Sequence, residues 1–165
     1  MTEGNDSRHV IDPNWGSDDL IEAYFRDQKI LAASTARRLR ERKPVPKQPL
    51  DGYDGRLFDW LTEMLNYGPP DGPDQVWPIA LELVDRAPDE QTLTFIGAHV
   101  LEDLVNNFGA RFADRIRDRA GLDPQFRRAL CDVWYHEDAP VELRALVDAA
   151  RAEFWRSSSG DIPAR

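Results

Sequence analysis

The chain has 165 residues, 41% of them hydrophobic, and a formal net charge of −9. This length and apolar content suffice for one ordinary domain with its own core, and they exclude a chain that is disordered throughout. A single cysteine excludes an intramolecular disulfide, and no apolar run approaches the roughly 20 residues that a membrane-spanning helix needs. Because no apolar run of signal-peptide length lies near the start either, the expected location is the cytoplasm, with no membrane partner.

The two ends of the chain are predicted to be flexible, and the residues between them to form one domain. Residues 1–16 are rich in Asn, Asp, Ser and Gly, which predicts a flexible N-terminal arm. Ser17 is a suitable N-cap and acidic residues follow it, so a first helix is expected to run from there to about Arg42. Residues 157–165 are predicted to be a flexible tail, which leaves 17–156 as a single helical domain.

The middle of the chain repeats its apolar residues at helical spacing. A second helix is predicted around Leu57 to Leu65, and a third is predicted to begin near Asp74, after a loop of Gly and Pro. A fourth is expected after Pro88, with its end at Gly109. Gly97, inside this helix, is interpreted as a kink or a close packing contact.

Three further helices complete the predicted fold. One covers Arg111 to Ala120, one follows the Asp123-Pro124 start signal as far as Trp134, and the last follows Pro140. Because no segment alternates apolar and polar residues, the predicted class is all-α, with about seven helices in a single compact bundle or a short stack of helical hairpins. The first helix and the 77–134 region are expected to share one core, with these residues mostly buried: Trp60, Trp77, Phe112, Phe126, Leu130 and Trp134.

Negative charge is concentrated in the middle third of the chain. Residues 57–110 contain ten acidic residues and one basic residue, Arg86, whereas the flanking thirds are each neutral. A field of one sign favours a partner of the opposite sign and argues against nucleic acid in this region, although solvated acidic surfaces are also common. The candidate partner-binding residues are Asp59, Glu63, Asp71, Asp74, Glu82, Asp85, Asp89 and Glu90.

His99, Glu102 and Asp103 are the only candidate catalytic cluster. On a helix His99 faces both acids, at i+3 and i+4, so the cluster could bind a metal ion or orient the histidine as a general base. One helix face is short of a closed ligand set, however, and neither a bound metal nor a cofactor is expected. The alternative is structural: a surface ion pair, or carboxylates bonded to neighbouring loop amides.

Three other features have competing interpretations. The basic run from Arg37 to Lys47 could hold phosphates, could be an ordinary cationic helix end, or could dock on the acidic region of a second copy; the oligomeric state is left open. The His136-Glu137-Asp138 sequence is interpreted as a structural helix end. Cys131 is expected to be a small buried apolar residue.

The stretch from Trp77 to Trp134 resembles an uncharacterised bacterial family, one of the domains of unknown function. Four blocks carry the resemblance: Leu101-Glu102-Asp103-Leu104, Gly109-Ala110-Arg111-Phe112, Asp123-Pro124-Gln125-Phe126-Arg127 and Val133-Trp134. The family-like core therefore covers about residues 74–136. This chain departs from the family pattern at His99-Val100, where the pattern has Gly-Pro. The resemblance implies an all-helical fold and assigns no activity.

These observations favour a non-catalytic protein-binding domain that presents an acidic helical surface to a basic partner, as an immunity protein or antitoxin would. One alternative is a metal-assisted hydrolase that uses His99, Glu102 and Asp103. Another is a nucleic-acid accessory factor that uses the Arg37–Lys47 run.

Overall fold

A computed structural model describes residues 17–42, residue 44 and residues 50–159 of the chain, with the side chains of 17, 158 and 159 left out. The predicted flexible arm, residues 1–16, and the end of the predicted tail, residues 160–165, lie outside the described residues. The described elements are α1 (Ser17–Glu41), α2 (Arg56–Asn66), α3 (Gly72–Asp85), α4 (Glu90–Ile96), a π-helical segment (Gly97–Leu101), α5 (Glu102–Leu122), α6 (Pro124–Leu130) and α7 (Val141–Ser159).

The all-α prediction is confirmed. The described residues contain no strand, and α4, the π-helical segment and α5 form one uninterrupted helix, so six separate helices stand where about seven were expected. None of the described helices is both long enough and apolar enough to cross a membrane. The chain divides into two compact units, Met1–Leu61 and Thr62–Arg165, with the boundary inside α2. The single domain expected from the sequence stays a prediction.

In the first unit, a buried carboxylate on α1 holds the entrance to α2. Asp27 is buried, and its two carboxylate oxygens accept hydrogen bonds from the backbone N–H groups of Asp54 at 2.9 Å and Gly55 at 2.7 Å. Gly55 has a φ of 72°, in the left-handed region that favours glycine. The carboxylate thus satisfies the N–H of Gly55, which the start of a helix leaves without a partner, and the N–H of the preceding residue.

In the second unit, the break expected at Gly109 is absent. Gly109 lies inside α5, and a Cβ atom built on it would come within 2.7 Å of Cδ of Pro140. Gly97 likewise lies against the backbone carbonyl of Ala129 on α6, where a Cβ atom would overlap the oxygen. The close packing contact expected at Gly97 is confirmed. Both glycines allow close approach of a neighbouring segment and neither ends a helix.

Two predicted helix ends shift in the last third of the chain. Helix α6 ends at Leu130, before Trp134, and the loop of residues 131–140 connects it to α7. Helix α7 then continues to Ser159, past the expected end at residue 156. Asp123 caps α6 as predicted, since its carboxylate accepts a hydrogen bond from the backbone N–H of Gln125 at 2.8 Å.

The predicted core is correct at its centre and wrong at its last member. Trp60, Phe112, Phe126 and Leu130 are buried, and Trp77 is half-buried, with its ring 5.6 Å from that of Phe112. Trp134, by contrast, is 75% exposed. Helical spacing from Leu130 would have turned Trp134 inward, but α6 has already ended and the loop turns its neighbour Val133 into the core instead.

Candidate functional site

The structure disperses the predicted catalytic cluster. Oγ1 of Thr62 lies 3.3 Å from Nε2 of His99, and Nδ2 of Asn66 donates to Asp103 at 3.4 Å, so these two residues face the end of α2. Glu102 points elsewhere and accepts a hydrogen bond from the backbone N–H of Trp134 at 2.8 Å. Among the described residues, no group of three or more His, Cys, Asp or Glu side chains is placed to hold a metal ion.

His99 is half-buried at the π-helical segment. Its ring centroid lies 5.7 Å from that of Phe95. Burial lowers the pKa of His99 below its usual value of 6.5, and the nearby carboxylate of Asp103 acts in the opposite direction. The neutral imidazole is therefore favoured, as expected for a histidine that packs inside a helical unit.

Glu102 and Asn106, one helical turn apart on α5, hold the backbone around Trp134. Besides the Glu102 bond to the Trp134 N–H, Nδ2 of Asn106 donates to the Trp134 carbonyl at 2.9 Å. Oδ1 of Asn106 accepts from the backbone N–H of His136 at 2.8 Å. Two neighbouring side chains thus fix three backbone groups of the loop, and this is the loop-amide alternative foreseen for Glu102.

A third side chain, Arg151 of α7, holds the loop from the other side. Its Nε donates to the carbonyl of Cys131 at 3.0 Å, and its NH2 group donates to the carbonyl of Val133. The same guanidinium lies 5.6 Å from the ring centroid of Trp134 and 5.5 Å from that of Tyr135. Cation–π attraction at these distances helps to fix both rings.

Tyr135 completes the group around the exposed indole. Its hydroxyl donates to the Asp148 carboxylate of α7 at 2.8 Å, and Asp148 also lies 3.6 Å from Arg151. This hydrogen bond to the carboxylate raises the pKa of the Tyr135 phenol. We call residues 131–140 the Trp134 loop; its exposed tryptophan is held at the backbone by α5 and at the ring by α7.

Most of the predicted partner-binding acids have partners inside the protein. Asp74 of α3 pairs with Arg111 and with Arg115, the latter at 2.8 Å. Three more pair with arginines, one carboxylate each: Glu82 with Arg86, Asp85 with Arg119, and Glu90 with Arg128. The last third of the chain thus supplies most of the cations that neutralise the middle third.

The other four predicted acids differ in their surroundings. Asp89 is the N-cap of α4 and accepts from the backbone N–H of Thr92 at 2.8 Å, and Asp71 accepts from Nε2 of Gln75 at 3.1 Å. Asp59 and Glu63 lie four residues apart on α2 and form no ion pair within the described part of the chain.

The predicted basic run is only partly described, because Lys43 and Lys47 lie outside the described residues. Arg37 pairs with Glu41 at 3.1 Å on the exposed end of α1. Arg40 and Arg42 are exposed. This arrangement is compatible with the ordinary cationic end of a helix.

Cys131 is less buried than expected. It is half-buried, in a shallow groove between α6 and α7, and its Sγ lies 3.6 Å from the carbonyl of Arg127. Burial raises the pKa of the Cys131 thiol, with Arg128 acting in the opposite direction. The groove therefore disfavours the reactive thiolate.

Asn106 and Arg151 were missed by the sequence interpretation. Asn106 lies four residues after Glu102, a spacing that places both side chains on one face of a helix, so its role could have been suspected. Arg151 has no comparable signal, because it is one of many arginines in the chain and its contacts with the loop are made 16 to 20 residues away along the chain.

Taken together, the fold and the site define an all-helical protein that displays a fixed, exposed tryptophan beside its last helix. The chain belongs to DUF6869, a family of unknown function whose sequence profile matches residues 48–154. The predicted resemblance to a domain-of-unknown-function family is thereby confirmed. Neither the comparison with curated proteins nor the comparison with solved structures gave a match.

Proposed function

We propose that the protein is a non-catalytic protein-binding module for a basic partner. The observation that carries the proposal is the hydrogen bond from the backbone N–H of Trp134 to the carboxylate of Glu102 at 2.8 Å. Glu102, the best candidate for a catalytic carboxylate, instead accepts a hydrogen bond from the backbone of a loop whose largest side chain, Trp134, is exposed to solvent. Exposed Trp and Arg side chains are characteristic of the residues that dominate protein–protein binding energy.

The fixed geometry of the Trp134 loop adds support. A loop that is already ordered loses little conformational entropy on binding, so more of the contact energy appears as affinity. The indole also has a large apolar area left to bury, because it is 75% exposed. The net charge of −9 favours encounter with a basic protein and disfavours encounter with an anionic macromolecule such as a nucleic acid.

Affinity capture from the native host tests this function. The tagged wild-type protein and the Trp134→Ala variant are compared, with Leu122→Ala as the control because Leu122 is 86% exposed but lies at the end of α5. We expect a basic protein that the wild type and the control retain and the Trp134 variant loses. Its purified form should then bind with a Kd that rises by about tenfold or more on Trp134→Ala. Equal binding to all three proteins would reject the proposal.

A further inference from the structure

The charge around Trp134 identifies what kind of group the loop can accept. Residues 132–148 contain five acidic residues and one basic residue, Arg144, although the last third of the chain is neutral as a whole. The balancing arginines lie mainly on α5 and α6, where Arg111, Arg115, Arg119 and Arg128 pair with acids of the middle third. Within residues 132–148, Arg128 also pairs with Asp132 and Arg151 lies near Asp148, so the negative charge that stays unpaired is that of Glu137, Asp138 and Glu142.

The acids that follow Trp134 in the sequence are exposed, whereas Asp132, two residues before it, is half-buried and pairs with Arg128 at 2.5 Å. Glu137 and Asp138 are exposed, and so is Glu142 in the first turn of α7. No ion pair involves any of these three carboxylates within the described residues. Glu137 and Asp138 follow Trp134 by three and four residues. Carboxylates within about 8 Å of a bound cation act on it with incomplete screening at physiological salt.

Arg151 does not reverse this charge, although it touches the indole. Its Nε and NH2 groups are bonded to the carbonyls of Cys131 and Val133, and its charge is opposed by Asp148 at 3.6 Å. Two donors of Arg151 are therefore already used, and an anionic ligand would also meet the exposed carboxylates of Glu137 and Asp138. A cationic ligand meets an aromatic ring with carboxylates beside it, the combination that favours guanidinium and ammonium groups.

We propose that the Trp134 loop is the docking surface for a cationic segment of the partner protein, with an arginine or lysine side chain stacked on the indole of Trp134 and its charge facing Glu137 and Asp138. This proposal rests on the proposed function and moves the main contact from the middle third of the chain to the loop of residues 131–140. An arginine is the better match, because its planar guanidinium can stack on the ring and bond to a carboxylate at its edge.

A pair of peptides tests the chemistry without knowledge of the partner. The probe is Gly-Ser-Arg-Leu-Arg-Ser-Gly, and its matched control carries citrulline, a neutral isostere, in place of both arginines. Each is titrated into the isotopically labelled full chain, and the indole N–H signal of Trp134 and the backbone amide signals of the loop are followed by NMR. We expect the arginine peptide to shift these signals at millimolar concentration and the citrulline peptide to leave them unchanged.

Variants identify the groups responsible. Trp134→Ala should abolish the shifts of the loop amides, and Glu137→Gln combined with Asp138→Asn should weaken binding by about fivefold. Leu122→Ala, the control at another exposed apolar residue, should bind as the wild type does. Because all these side chains are exposed, their amide spectra should otherwise overlay that of the wild type. Equal shifts with both peptides, no shifts at all, or full binding by the Trp134 variant would overturn the proposal.

Two further outcomes separate this inference from others. Sedimentation of the protein alone tests whether the cationic segment belongs to a second copy, through its Arg37–Lys47 run; self-association lost on both Trp134→Ala and Arg40→Glu would overturn the assignment to a separate partner. If the arginine peptide does not bind but a captured partner still loses affinity on Trp134→Ala, the cationic chemistry is wrong while the proposed function stands.

Discussion

Phe112 and Trp134 lie in the same unit and have opposite environments. Phe112 is 0% exposed and Trp134 is 75% exposed. Phe112→Ala should therefore lower the free energy of unfolding by roughly 3–5 kcal/mol, since it leaves a cavity in a packed core. Trp134→Ala should stay within about 1 kcal/mol of the wild type. Urea titration of both variants measures this, and a Trp134 variant as unstable as the Phe112 variant would contradict the exposed position of the indole.

Glu102 is expected to act on the loop more than on global stability. Glu102→Ala removes the acceptor of the Trp134 N–H, a bond that contributes roughly 1 kcal/mol, and should speed hydrogen exchange at that amide. Asp103→Ala is the matched control, because its neighbouring carboxylate bonds to Asn66 and not to the loop. Unchanged exchange at Trp134 in the Glu102 variant would refute its role as the holder of the loop.

His99 should make stability fall in acid. Burial lowers its pKa in the folded protein below 6.5, so the unfolded chain takes up the proton first. The contribution of His99 is therefore complete above about pH 6.5 and is lost as the pH falls below that value. The His99→Gln variant cannot take up this proton. The difference in unfolding free energy, variant minus wild type, should therefore increase as the pH is lowered from about 7.5 to about 5. A constant difference across that range would contradict the effect of burial.

At the scale of elements, the long helix formed by α4, the π-helical segment and α5 depends on two glycines for its packing. Gly97→Ala would force a methyl group onto the carbonyl of Ala129, so α4 and α6 must separate or distort. We expect a loss of about 2 kcal/mol or more, as for an overpacked core site. Differential scanning calorimetry should show the lower melting temperature.

Gly121 is the matched control for Gly97. It also lies within a helix, α5, but a Cβ atom built on it meets nothing within 4 Å. Gly121→Ala should raise the melting temperature, because alanine is favoured over glycine in a helix by roughly 0.5–1 kcal/mol. If both substitutions changed the melting temperature in the same direction, close approach of α6 would not explain why position 97 requires glycine.

At the scale of the whole molecule, ion pairs redistribute the acidic charge that the sequence concentrates in residues 57–110. Asp74, Glu82, Asp85 and Glu90 have arginine partners, whereas Asp59 and Glu63 form no ion pair within the described residues. The pairs are near the surface and each stabilises the fold by about 1 kcal/mol or less. Their main effect is to reduce the negative electrostatic field that a partner protein would encounter.

Association kinetics with the captured partner test this redistribution. Reversing Asp59 and Glu63 to Lys should slow association severalfold, and the effect should shrink as salt is raised. Asp74→Asn should also slow it, because the change leaves Arg111 and Arg115 without their carboxylate. Association that is independent of salt and of all these changes would mean that the acidic residues are only a solvated surface.

Local signals in the sequence are enough to predict the helices, their approximate order and the resemblance to the family. Helix caps, prolines and apolar spacing are local signals, so α2, α3 and α6 start close to where Leu57, Asp74 and Asp123-Pro124 predict. The buried positions of Phe112, Phe126 and Leu130 follow from the same periodicity. Gly109 was misread because glycine serves both as a helix end and as a packing contact, and sequence alone does not separate the two.

The charge pattern and the candidate site depend on contacts between distant segments. An arginine on α5 can neutralise an acid on α3, 41 residues earlier, as Arg115 does with Asp74, and no local pattern encodes that pairing. Trp134 was predicted to be buried because its spacing continues the face of α6, but that helix ends at Leu130 and side chains from α5 and α7 hold the loop in another direction. Trp134, predicted to lie in the core, is therefore exposed, because the contacts of α5 and α7 with its loop outweigh the local helical spacing.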